Sequence, residues 1–134
     1  MGVAKSQKGS GQGPSARIFI VDDEPMLLEL AESILTALNY EVQTFSNPEK
    51  ALAAYSAAQP PPDLIITDFA MHEMDGLALI RQCRRIHPKQ KILLVSGTVD
   101  EEVFYTADAK PDVFLAKPYP PGKLAAIVQG VLTH

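Results

Sequence analysis

Residues 18–23 read Ile18-Phe19-Ile20-Val21-Asp22-Asp23, an apolar run that leads straight into two carboxylates. The pattern recurs three times. Leu64-Ile65-Ile66-Thr67 runs into Asp68, Ile92-Leu93-Leu94-Val95 into Ser96-Gly97, and Val113-Phe114-Leu115-Ala116 into Lys117-Pro118. Continuous aliphatic and β-branched runs of this length read as strands buried on both faces. Helix-like stretches separate them, which predicts a parallel α/β sheet. In a parallel sheet all C-terminal strand ends share one edge. That edge would hold three aspartates, a hydroxyl and a lysine, in the crevice where open α/β sheets bind ligands. Three carboxylates so close repel one another unless a divalent cation or a lysine sits among them.

Between these runs the chain supplies its own helix signals. Glu24-Pro25 opens a helix, since proline's missing N–H costs nothing in a first turn. Leu27, Leu30, Ala31, Ile34, Leu35 and Leu38 recur at helical spacing and are expected to form its core face. Asn39-Tyr40 ends it, and Glu41 to Phe45 alternates as a further strand. Asn47-Pro48 starts a second helix, running to about Ala58. Pro60-Pro61-Pro62 breaks it and forms a stiff entry to the next strand. Gly76 to His87 reads as a third helix with Asp75 as a structural cap. Its Arg81, Arg84 and Arg85 read as a solvated face. A weaker helix is expected over Asp100 to Ala109, with Val103, Phe104 and Ala107 inward. A last helix follows Tyr119-Pro120-Pro121-Gly122, from Lys123 to about Leu132.

The chain has 134 residues, room for one domain with a real core. Its net charge of −4 gives no basic footprint for nucleic acid and no attraction to an anionic membrane surface. No segment approaches the length of a membrane span, and the N-terminus lacks the apolar core of a signal peptide, which predicts a cytoplasmic location. Cys83 is the only cysteine, so no internal disulfide forms, and it reads as a small partly buried residue. Residues 1–16 are rich in Gly, Ser, Lys and Gln and read as a disordered tail. Met1-Gly2-Val3-Ala4-Lys5-Ser6 fits a myristoylation pattern, and Gly9, Gly11 and Gly13 alternate. Both read as tail: the first motif is short, and no strand precedes the glycines.

Asp22-Asp23, Asp68-Phe69-Ala70-Met71 with Met74-Asp75-Gly76, Ser96-Gly97 and Lys117-Pro118, in this order and each at a strand end, resemble the receiver domain of two-component response regulators, of the chemotaxis-regulator type. The resemblance covers roughly Arg17 to the C-terminus. It implies a doubly wound, flavodoxin-like (βα)5 fold, with a five-stranded parallel sheet in the order 2-1-3-4-5, over residues 17–134. It implies phosphorylation of Asp68 and a Mg2+ ion held by Asp22, Asp23, Asp68 and the backbone carbonyl of Ala70, with Asp22 acting mostly through water. Lys117 would pair with Asp68 and then with the phosphoryl group, and Ser96 would hydrogen-bond a phosphoryl oxygen. Phe114 stands at the family's switch aromatic and would move inward when Ser96 engages phosphate. The Lys117–Pro118 bond would be cis. Elementary chemistry agrees with the outline: a carboxylate nucleophile forms an aspartyl phosphate, given cations for the equatorial oxygens.

The clearest departure from the family is His72, where proline is common. Its plain reading is a solvent-exposed loop histidine beside the site. Ala70 and Thr98 occupy the positions that tune dephosphorylation, and neither brings a carboxylate or amide to position water. The expected protein is a single-domain response regulator, not an enzyme beyond its own phosphorylation and dephosphorylation. Its donor would be a histidine kinase or a histidine phosphotransfer protein. Its phosphorylated surface, around residues 100–109, the strand 113–116 and the last helix, would dock an output partner or a second copy. The alternatives are a phosphoryl shuttle or sink in a phosphorelay, and the receiver part of a longer regulator with an output domain.

Overall fold

The computed structural model describes residues 15–97 and 110–133. The helix expected over Asp100–Ala109, the dephosphorylation position Thr98 and all but the last two residues of the expected tail lie outside them. The elements in chain order are β1 (Arg17–Val21), α1 (Pro25–Thr36), β2 (Glu41–Phe45), α2 (Pro48–Ala57), β3 (Leu64–Asp68), α3 (Gly76–Ile86), β4 (Ile92–Ser96), β5 (Val113–Ala116) and α4 (Pro121–Leu132). The five strands form one sheet in the order β2-β1-β3-β4-β5, every pairing parallel. This is the expected flavodoxin-like topology.

The apolar runs are continuous because helices cover both faces. Phe19, Val21, Ile65, Ile92 and Leu94 point to one side and pack with Ala51 and Tyr55 of α2 and Leu79, Ile80 and Cys83 of α3. Ile18, Ile20, Leu64, Ile66, Leu93 and Leu115 point to the other, against Ala31 and Leu35 of α1 and Leu124 and Val128 of α4. Alternate residues of each strand feed alternate cores, as the two-residue period of a strand requires. Cys83 is fully buried, and burial pushes its thiol up to about 12, so it acts as a small hydrophobe.

Two readings of helix faces need correction. Leu30 was expected inward but is 45% exposed, whereas Leu28 packs on the core. Leu27-Leu28 and Leu30-Ala31 offer two apolar stripes about one residue apart in rotation. The buried one runs through Leu28, Ala31, Leu35 and Leu38, which are spaced as one face of a helix. Arg84 is not a solvated side chain. Its guanidinium donates to the carbonyl oxygens of Gln90 and Lys110 and to Asp112 Oδ2, at 3.1, 2.6 and 2.9 Å.

The helix starts are chemically defined. Asn47 Oδ1 accepts from the N–H groups of Glu49 and Lys50 at 2.8 and 3.0 Å, and Asp75 Oδ1 accepts from Ala78 N–H at 2.9 Å. Such caps satisfy donors that the first helical turn leaves open. Asn39 takes a left-handed φ of 71° just beyond α1, a conformation that asparagine tolerates well. Among the described residues two X–Pro bonds are cis, the expected Lys117–Pro118 and also Gln59–Pro60.

Candidate functional site

The sheet register brings the predicted polar residues to one edge. Asp68 closes β3 opposite Val95, and Ser96 closes β4 opposite Ala116, the residue before Lys117. Asp22 follows β1 directly, and its N–H donates to Phe45 O at 3.1 Å. The loops here are pinned by strand-like backbone bonds, Phe69 N–H to Val95 O and Lys117 N–H to Ser96 O, both 2.9 Å. The functional side chains therefore stand on rigid strand ends.

Asp22, Asp23 and Asp68 each offer one carboxylate oxygen, and these atoms lie within 4.8 Å of one another. Lys117 Nζ stands 3.0 Å from Asp68 Oδ1 and 3.3 Å from Asp22 Oδ2. It also lies 3.3 Å from Glu24 Oε1. Glu24 therefore stands beside the site as well as at the opening of α1, where its sequence context marks only a helix start. One ammonium thus serves several carboxylates. Burial pushes the Asp22 and Asp68 carboxyls above the ordinary value, against the pull of Lys117 and, for Asp22, of the Glu24 N–H. For Asp68 the charges of Asp22 and Asp23 push the same way. Burial alone would lower the Lys117 ammonium, but its bond to Asp68 and the charges of Asp22 and Asp68 raise it to about 12. The lysine is firmly charged, and negative charge remains in excess around it.

Asp23, Glu24, Asp68 and Lys117, with Ser96, Gly97, Ala70, Met71 and His72, line a depression of about 580 Å³ at the sheet edge. Ser96 is 1% exposed at its wall. Phe114, which pairs in register with Leu94, is half-buried and packs on the core shared by α2 and α3. The chemistry of the donors fits a hard divalent cation: oxygen ligands only, grouped closely, with too little positive charge from the protein. Such a group also suits a phosphoryl acceptor, since Asp68 is a buried carboxylate facing a charged ammonium.

His72 is 91% exposed, as a loop histidine is expected to be, but it is not idle. Its Nδ1 stands 2.9 Å from Asp23 Oδ2. The sequence offered no signal for this contact, which joins residues far apart in the chain. Asp75 sits where the structural reading put it, as a helix cap. Gly76 has a steric role: a Cβ there would stand 2.6 Å from Asp68 O and 2.9 Å from Leu94 Cδ1. Only glycine allows the start of α3 to lie this close to the end of β3.

Comparison with known proteins agrees with this geometry. Residues 18–129 match the family model of the response regulator receiver domain. The chain is 28% identical over 118 residues to the DNA-binding transcriptional regulator NtrC of Salmonella typhimurium, covering 87% of this chain and 25% of that protein. It is 31% identical over 116 residues to the transcriptional regulatory protein BaeR of Escherichia coli, covering 87% and 48%. The chain therefore spans a quarter to about half of these curated relatives. Among solved structures, a CheY-like response regulator receiver domain protein from Methanospirillum hungatei superposes with a TM-score of 0.82 at 26% identity, covering 90% of this chain and 95% of that one.

Proposed function

The chain belongs to the response regulator receiver family, and from that premise we propose that it accepts a phosphoryl group on Asp68 from a phosphohistidine donor, with Mg2+ bound, and alters a partner-binding surface in response. The observation that carries this reading is the Asp22–Asp23–Asp68 cluster with Lys117 on Asp68. Receiver domains are signalling modules rather than classical enzymes, and they bind Mg2+ in an acidic pocket of this kind.

Asp22 and Asp23 would hold the ion with Asp68 and the Ala70 carbonyl, and the ion would supply positive charge to the phosphoryl oxygens. A carboxylate oxygen of Asp68 attacks phosphorus as the P–N bond of the phosphohistidine breaks. The electron pair returns to the donor imidazole, and an acyl phosphate forms. Lys117 orients Asp68 beforehand, and its charge balances the phosphoryl group afterwards. Ser96 at the wall of the depression donates its hydroxyl to a phosphoryl oxygen. Phe114 on the neighbouring strand is the element whose packing would follow that engagement. We place this chemistry in the cytoplasm; no helix among the described residues is long and apolar enough to cross a membrane.

A second reading is favoured by the relatives, each much longer than the match: the receiver would serve a regulator that carries its own output domain. The donor would be the same. Labelling with a small phosphodonor tests the core of both. The native chain should gain one base-labile phosphoryl group, and Asp68→Asn should gain none. Labelling that survives in the asparagine variant, or in excess EDTA, would refute the assignment.

A further inference from the structure

We infer that His72 is a positioning residue for the cation site, holding Asp23 by one oxygen so that the other faces the ion. This rests on reading the acidic cluster as a cation site. Two donors of His72 converge on Asp23 Oδ2, the backbone N–H at 3.1 Å and the imidazole Nδ1 at 2.9 Å. A carboxylate bound through one oxygen to an ion turns easily about its last torsion. Two donors on Oδ2 remove that freedom and leave Oδ1 for the ion. Hydrogen bonds to ligating carboxylates commonly fix their orientation in this way. A proline at position 72 would supply neither donor.

The loop is built to present His72. Glu73 takes a left-handed φ of 75°, and Met74 N–H donates to His72 O at 2.8 Å. Glu73 Oε1 accepts from Asn47 Nδ2 at 3.0 Å, which ties the loop to the start of α2. The reversed residue is thus anchored on one side and His72 on the other. The imidazole is not one of the mutually close ligand atoms, which belong to Asp22, Asp23 and Asp68. It therefore acts through Asp23.

Titration of the native chain with Mg2+ by calorimetry, beside His72→Ala and His72→Asn, tests the inference. The backbone donor persists in every variant, and the imidazole is exposed, so the expected loss for alanine is modest: about threefold to tenfold in Mg2+ affinity. Asparagine places an amide donor near the position of Nδ1 and should restore most of it. Melting temperatures in EDTA should match the native chain. Alanine affinity equal to or tighter than native overturns the inference, as does asparagine as weak as alanine, or a melting temperature that falls with affinity. If the native chain shows no saturable Mg2+ binding, the cation reading itself falls, and this inference with it.

Discussion

The two edges of the sheet both carry polar and charged groups between packed helices, but they dispose of them in opposite ways. At the N-terminal edge the polar groups described here pair with one another. Asp63 Oδ2 accepts from Arg17 N–H, and Arg17 Nη1 donates to Pro60 O, each at 2.8 Å. Gln90 donates to Pro62 O at 3.0 Å and accepts from the buried Tyr55 hydroxyl at 2.7 Å. Asp112 receives Arg84 and the Ile92 N–H. A broad cleft of about 970 Å³ lies at this edge, lined by Pro60, Pro61, Pro62 and Pro88 among others. At the C-terminal edge one lysine faces Asp22, Glu24 and Asp68, with Asp23 beside them. The closed network specifies the fold. The unbalanced one leaves negative charge in excess, and the proposed chemistry sits at that imbalance rather than at the broad cleft.

The sharpest way to break this contrast is to open the closed network. Gln90→Ala removes the donor to Pro62 and Lys91 carbonyls and strands the Tyr55 hydroxyl. Buried groups left without partners should cost about 3 kcal/mol in total, read as a lower urea midpoint. Phosphodonor labelling should not change. If labelling falls while the fold persists, the two edges are coupled and the contrast fails.

A smaller loss is expected from Arg84→Ala, about 1.5 kcal/mol, because three hydrogen bonds vanish at a partly exposed site. Arg85→Ala, on an exposed position one residue on, should stay within about 0.5 kcal/mol. Equal effects from both would mean that the Arg84 bonds contribute nothing.

One effect, smaller than that of Arg84→Ala, should have the opposite sign. The Asp68 carboxyl is raised above 3.8 in the folded chain, mainly by burial. The folded chain therefore holds that proton more tightly than the unfolded chain. The associated stability is present below 3.8 and is lost as pH rises through the raised value. At neutral pH the ionised carboxylate is a burden, so Asp68→Asn should stabilise the metal-free protein by on the order of 1 kcal/mol. The gain should shrink as pH falls toward 3.8. A less stable asparagine variant at pH 7 would show that Lys117 outweighs burial.

Much of this was legible in the chain because burial on both faces writes uninterrupted apolar runs, and the residue after each run must stand at the sheet edge. Asn47, Asp75 and the prolines announce helix starts by local chemistry, which needs no knowledge of the rest of the fold. What escaped reading depends on contacts between distant residues or on rotation. Tyr55 and Gln90 lie 35 positions apart, and nothing near either one marks the pairing. His72 and Asp23 are 49 apart. Leu28 and Leu30 are equally apolar, and only the packing of α1 decides which faces inward. Glu24 was hidden by its double duty at the helix start and beside Lys117.

The bare hydrogen of Gly76 has a mechanical meaning. Gly76 N–H donates to Phe69 O at 2.8 Å, and its α-carbon lies so close to the Asp68 carbonyl that no methyl group fits between. Close-packed backbone resists compression and offers no rotamer through which a push can dissipate. The end of β3 and the first turn of α3 are therefore stiffly joined. The Asp68 peptide cannot move toward α3 without the first turn of that helix giving way.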